Sequence, residues 1–186
     1  MNEPDRIDQI VSAVERIVSR DGVQTVSMRA VAAEAGVSLR LVQYYGKTKQ
    51  DLLTTALHRL SERSVQHWQD SLASSGDSPR HALEAFLVAA LPLDEERRAF
   101  HRFGVSLEQL AITETHGIRV IYQEHLSQLA AVIAPYIHAT TRDADIDLAY
   151  ELLAFAHGLG SLVMTGTLTD AQAHSLIAGY LDRIHA

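Results

Sequence analysis

The chain has 186 residues, 47% of them hydrophobic, which is enough to bury a core in one or two compact domains, and it has no cysteine, which excludes disulfides, thiolate metal sites and a cysteine nucleophile. Its formal charge is −7, but the first fifty residues carry seven basic against six acidic side chains (+1) and the remainder nine against seventeen (−8). Any surface that meets phosphates is therefore expected within the first fifty residues, and the rest of the molecule is expected to repel nucleic acid.

Ile7, Ile10, Val11, Val14, Ile17 and Val18 recur at one helical stripe and stop at Asp21-Gly22, which predicts a first helix. Ser27 can cap a short second helix that ends at Gly36, and Ser38 a third that ends at Gly46, with only the AGVS turn between them. Thr48 with Asp51 forms a variant capping box that opens a longer fourth helix through Leu52, Leu53, Leu57, Leu60, Trp68 and Leu72, broken at SSGDSP. Further helices are predicted at 79–91, 95–112, 116–139, 144–165 and 170–185, separated by Pro92, THG, TTRDAD and TGTLTD; Pro135 should kink the seventh or end it early. The expectation is an all-α fold of nine helices, three short ones as a head (residues 1–47) and six as a body (48–186).

Two short helices joined by a tight glycine-containing turn are the sequence form of a helix-turn-helix. On the third helix Leu41 and Val42 can pack inward, while Leu39, Arg40, Gln43 and Tyr44 can reach outward. Arginine can bond guanine bidentately, glutamine adenine, and a leucine methyl can touch thymine, chemistries that suit a major-groove reader. Candidate phosphate contacts flank it: Ser27 with the amide end of the second helix, Arg29, Ser38, Tyr44, Tyr45, Lys47 and Lys49. Each of these side chains taken singly is equally readable as core or solvated surface.

Residues 6–53, RIDQIVSAVERIVSRDGVQTVSMRAVAAEAGVSLRLVQYYGKTKQDLL, resemble the DNA-binding domain of the TetR family of transcriptional regulators. The resemblance lies in the amphipathic first helix ending in DG, the small-residue second helix ending in AEAGVS, the Tyr44-Tyr45 pair and TKQDLL. Arg40, Leu41 and Gln43 replace the family's usual glycine, threonine and tyrosine, so the base preference should differ. Gly46 stands where phenylalanine is usual and leaves a volume that Tyr45 could fill by turning inward.

The resemblance implies a cytoplasmic homodimeric repressor that binds a palindromic operator and is released by a small-molecule effector, with no cofactor and no enzymatic activity. It implies an effector pocket among helices four to seven. Apolar candidates there are Trp68, Phe86, Phe100, Phe103 and Tyr122, and polar ones are His67, His101, Glu108 and Gln109. It also implies pairing of the last two helices with a second subunit. Candidates are Leu152, Phe155, Leu159 and Leu162 on one helix and Ile177, Tyr180, Leu181 and Ile184 on the other, with Gly158 and Gly160 allowing close approach.

Ten histidines raise the alternative of a helical metalloenzyme, but there is no HExxH and no histidine pair at helical ligand spacing. DADID at 143–147 lacks the glycine and distal glutamate of a calcium loop, and GxSxG, P-loop and GxGxxG motifs are absent. No apolar run approaches the roughly 20 residues of a membrane span, and the acidic start MNEPDRID is unlike a signal peptide. The other alternative is a weakly specific architectural DNA-binding protein.

Overall fold

The computed structural model describes residues 3–74, 78–113, 117–139 and 146–184. Among them every regular element is helical: α1 (Glu3–Asp21), α2 (Met28–Ala35), α3 (Leu39–Tyr45), α4 (Lys49–Ser74), α5 (Pro79–Ala89), α6 (Glu95–Thr113), α7 (Ile118–His138), α8 (Ile146–Met164) and α9 (Asp170–Ile184). The all-α, nine-helix expectation holds, with two differences. The first helix is long, 19 residues, and a single 3-10 turn, Val23–Thr25, follows it. Of the breaks expected at SSGDSP (74–79), THG (115–117) and TTRDAD (140–145), residues 75–77, 115–116 and 140–145 lie outside the described residues.

The helices form two compact units, Met1–Glu62 with Ala99–His125 and Arg63–Arg98 with Leu126–Ala186. The division expected at residue 47 falls inside the first unit, because Leu52, Leu53 and Leu57 of α4 and Phe103 and Leu107 of α6 are buried in one core with Val14 and Ile17 of α1. α2 contributes Val31, Ala32 and Ala35 to that core, and α3 contributes Val42. Burying each large aliphatic side chain stabilises by about 1.5–3 kcal/mol, so this shared core, more than helix propensity, holds the short α2 and α3.

Local signals set the helix ends. Gly36 takes φ +65, and Gly36 N–H donates to the Ala33 carbonyl at 3.2 Å and Val37 N–H to that of Ala32 at 3.0 Å, a Schellman ending. A β-carbon there would meet nothing within 4 Å, so the left-handed backbone is what calls for glycine. At α4 the Asp51 carboxylate accepts from the N–H groups of Lys47 and Thr48, both at 2.9 Å, and Thr48 Oγ1 accepts from Asp51 N–H at 3.1 Å. This is the capping box read from the sequence.

In the second unit α9 packs on α5 and α8, around Leu83, Phe86, Leu87, Ile133, Leu152, Ile177 and Leu181. Thr169 and Gln172 cap α9 reciprocally. Pro135 lies in the last turn of α7, which ends at His138. No described helix is long and apolar enough to cross a membrane.

Candidate nucleic-acid interface

The α2-turn-α3 segment is fixed from behind by α1. The Gln9 side-chain Nε2 donates to the carbonyl of Ala35, the last residue of α2, at 2.7 Å, while its Oε1 is buried without a hydrogen-bond partner. Arg16 bonds Glu34 of α2 at 2.7 Å, and Arg20 bonds the same carboxylate at 3.3 Å and Asp21 at 2.8 Å. The Arg16 hydrogen bond, followed by that of Arg20, holds the Glu34 carboxyl below the ordinary carboxylate range, and Arg20 does the same for Asp21. Two of the head's arginines thus neutralise acidic neighbours.

With its back so held, α3 presents Arg40, Gln43 and Tyr44 to solvent at i, i+3 and i+4, and Lys47 lies just beyond the helix end. Tyr44 is 70% exposed and meets Tyr45 edge-on at 5.1 Å between ring centroids. Val42 is fully buried, and Leu41 and Tyr45 are half-buried against the head core. Leu39, expected to face outward, also packs on that core and keeps only part of its surface outside.

Among the expected phosphate contacts, Arg29 is exposed on α2. The Ser27 and Ser38 hydroxyls cap α2 and α3, accepting from Ala30 and Leu41 N–H at 3.1 and 3.2 Å. Each hydroxyl keeps its own proton to donate. Lys49 is half-buried and donates from Nζ to the Gln24 carbonyl at 3.3 Å, which ties α4 to the 3-10 turn. The space over Gly46 is taken by Leu52 of α4 rather than by an aromatic ring.

The candidate effector-pocket residues are divided between the two units. Phe100, His101, Phe103 and Tyr122 belong to the first unit, whereas Trp68 and Phe86, with rings 4.5 Å apart, belong to the second. Phe103 is core, Phe100 is 45% exposed, and the His67 side chain lies outside the described residues. A polar pair that the sequence reading passed over is buried in the first unit: Ser61 Oγ lies 2.9 Å from His125 Nδ1. Burial pushes the His125 imidazole down to about 4. Tyr122 meets His125 edge-on, and burial together with Glu108 pushes its phenol up to about 12. The signal was present in the sequence, since Ser61 follows Leu57 by four residues and His125 precedes Leu129 by four, putting polar groups on apolar stripes. Among the described residues no three His, Asp or Glu side chains group so as to hold a metal ion.

The stripe expected to pair two subunits is largely covered within its own chain. Leu152, Leu159, Ile177, Tyr180 and Leu181 are buried inside the second unit, and half-buried Phe155 stacks on Tyr180 at 4.3 Å. Ile184 also packs on this core, while Leu162 alone of the eight is exposed. The reason is physical: the most apolar stripe of each helix is the one its own chain covers first. The apolar groups left outside are Tyr150, Leu162 and Leu176, 41–43% exposed.

No protein-family model matches the chain. It is 30% identical to the HTH-type transcriptional regulator PksA of Bacillus subtilis over 91 residues, 49% of this chain and 44% of that one. It is 36% identical over 62 residues to the HTH-type nicotine-responsive transcriptional repressor HdnoR of Paenarthrobacter nicotinovorans, 33% of this chain and 32% of that one. To the HTH-type transcriptional regulator BetI of Agrobacterium fabrum it is 30% identical over 128 residues, 67% and 61% of the two chains. The matches thus span from about a third to three-fifths of these relatives.

Among solved structures, a Rhodococcus protein assigned to the TetR family of transcriptional regulators superposes with a TM-score of 0.84 at 24% identity, covering 98% of this chain and 100% of that one. A transcriptional regulator of Saccharomonospora viridis, solved in complex with choline, gives 0.79 at 24% identity over 97% and 95%. Among the described residues the chain is therefore all-helical, with a helix-turn-helix in its N-terminal unit. Its fold is that of the TetR-family transcriptional regulators, as the resemblance of residues 6–53 implied.

Proposed function

We propose that this protein is a sequence-specific DNA-binding transcriptional regulator that works as a homodimer and leaves a palindromic operator when a small molecule binds its body. The observation that carries the reading is the outward set on α3. Arg40 and Gln43 lie one turn apart, exposed, on a helix whose other face is anchored by buried Val42. Those two side chains can read guanine and adenine edges in the major groove, while Arg29, Tyr44 and Lys47 contact phosphates and fix register.

Two heads meet successive major grooves about 34–36 Å apart when the subunits pair about a twofold axis. The outer side of α8 supports such pairing: Tyr150, Ala154, Gly158 and Leu162 follow one another at intervals of four, and a β-carbon on Gly158 would meet nothing within 4 Å in its own chain. Leu176 of α9 extends this surface. Effector release is supported by the relatives, one nicotine-responsive and one structure holding choline, and by the buried Ser61–His125 pair as a polar anchor.

Selection of bound duplexes from a random pool tests the reading. The expected product is an inverted repeat whose affinity over random DNA survives physiological salt. Equal binding to all sequences, lost as salt rises, would instead indicate an architectural protein.

A further inference from the structure

The last turn of α1 is bonded to α6 by two reciprocal hydrogen bonds. Ser19 Oγ donates to the Ala99 carbonyl at 2.9 Å, and Arg102 Nε donates back to the Ser19 carbonyl at 2.9 Å. The Val18 carbonyl is already satisfied by Gly22 N–H at 3.0 Å, whereas the Ser19 carbonyl belongs to the terminal set that an α-helix leaves without a partner. A guanidinium there also meets the negative end of the helix dipole. The last two turns of α1 also carry Arg16 and Arg20, which hold Glu34 of α2. At its other end α6 is held by α7, where Arg119 donates to the carbonyls of Ala111 and Ile112 at 2.9 and 3.0 Å.

We infer that Ser19 and Arg102 form a latch that sets the orientation of the helix-turn-helix on α6, which makes Arg102 a positioning residue for DNA recognition. The inference rests on the DNA-reading role proposed above. Two bonds between the same two short segments define a register, and a slide of α6 along α1 by one turn breaks both. Hydrophobic contacts alone do not supply this, because Phe103 and Leu107 in the same core can exchange neighbours with little directional penalty. Through Arg16 and Arg20 the held turn passes its position to α2, and through the α2 ending to α3.

The test uses the full chain and the variants Ser19→Ala, Ser19→Thr and Arg102→Gln. Each is assayed on the duplex selected by the wild type and on the same duplex with one base pair added or removed at its centre. The wild type should prefer the unaltered spacing by about tenfold or more; Ser19→Ala and Arg102→Gln should reduce that preference severalfold, and Ser19→Thr should restore it. Amide hydrogen exchange on the DNA-free proteins gives a second readout: exchange across residues 28–45 should accelerate about tenfold in the two broken-latch variants. Unchanged spacing preference in both variants, or faster exchange confined to residues 17–23, overturns the latch. If the wild type selects no duplex, the DNA-reading proposal fails by itself, and the exchange measurement alone decides whether α6 holds the head.

Discussion

Leu52 occupies the space that a side chain at position 46 would need: a β-carbon on Gly46 would stand 2.7 Å from Leu52 Cδ2 and 2.9 Å from its Cγ. Both residues are buried, one ending α3 and the other in the first turns of α4. Gly46 has an ordinary extended backbone, φ −154, so the constraint is space and not conformation. Gly46→Ala should destabilise the first unit by about 1–3 kcal/mol, seen as a lower urea midpoint at unchanged slope. Adding Leu52→Ala should make the two effects non-additive, because the smaller side chain vacates the clash. A neutral Gly46→Ala would contradict the packing.

Asp51 ties down the loop between α3 and α4 by accepting from two N–H groups. Asp51→Ala should cost about 1 kcal/mol, toward the middle of the range for lost caps. It should also lower the protection of the Lys47 and Thr48 amides in hydrogen exchange. Unaltered protection there would show that water replaces the carboxylate at no cost.

Stability should fall on mild acidification because of His125. Its ring titrates near 6.5 in an unfolded chain but is held at about 4 by burial in the fold. Between those values the unfolded state binds a proton that the folded state refuses, so the contribution is complete above about pH 6.5 and lost as the pH falls toward 4. Asp21 and Glu34, whose carboxyls are held low by their arginines, lose their contribution only below the ordinary carboxylate values of about 4. Of these three groups, only His125 acts in the window from pH 6.5 to 4.5. Urea unfolding should show a loss of about 2 kcal/mol between pH 7 and 5, and His125→Gln, whose amide can still bond Ser61, should remove most of that slope. Equal slopes in both proteins would refute the assignment.

The outer surface of α8 and α9 predicts two separable phenotypes. Leu162→Glu and Leu176→Glu should leave the fold intact and raise the dimer dissociation constant by tenfold or more, about 1.4 kcal/mol or above, in sedimentation equilibrium. Leu152→Ala removes a fully buried side chain and should cost about 2–5 kcal/mol of stability through its cavity. A monomer–dimer balance that ignores Leu162 and Leu176 would place the subunit contact elsewhere.

Much of the head was legible in the sequence because its signals are local. The Asp21-Gly22 stop, the Ser27 and Ser38 caps, the Gly36 turn and the Thr48–Asp51 box each act within four residues, and each takes its expected place. What lay beyond reach were facts of long-range packing. The stripe Leu152, Leu159, Ile177 and Leu181 is equally apolar whether it faces its own chain or a partner, and periodicity does not say which. Ser61 and His125 are 64 residues apart, so only the fold shows that they bond. Leu39 lies between the two faces, partly packed on the core and partly outside, because on a helix of seven residues the flank of the inward face adjoins the outward one.

The proposed reading of base edges by α3 falls on Arg40 and Gln43, both exposed. Repeating the duplex selection with Arg40→Ala and with Gln43→Ala measures it most directly, with Lys47→Ala as a control for phosphate contact. The two α3 variants should each lose preference at their own position of the half-site, by about 1–3 kcal/mol, while Lys47→Ala weakens all sequences alike and lowers the salt slope by about one. Recovery of the wild-type sequence, with undiminished preference at every position, from both α3 variants would show that Arg40 and Gln43 do not read the bases.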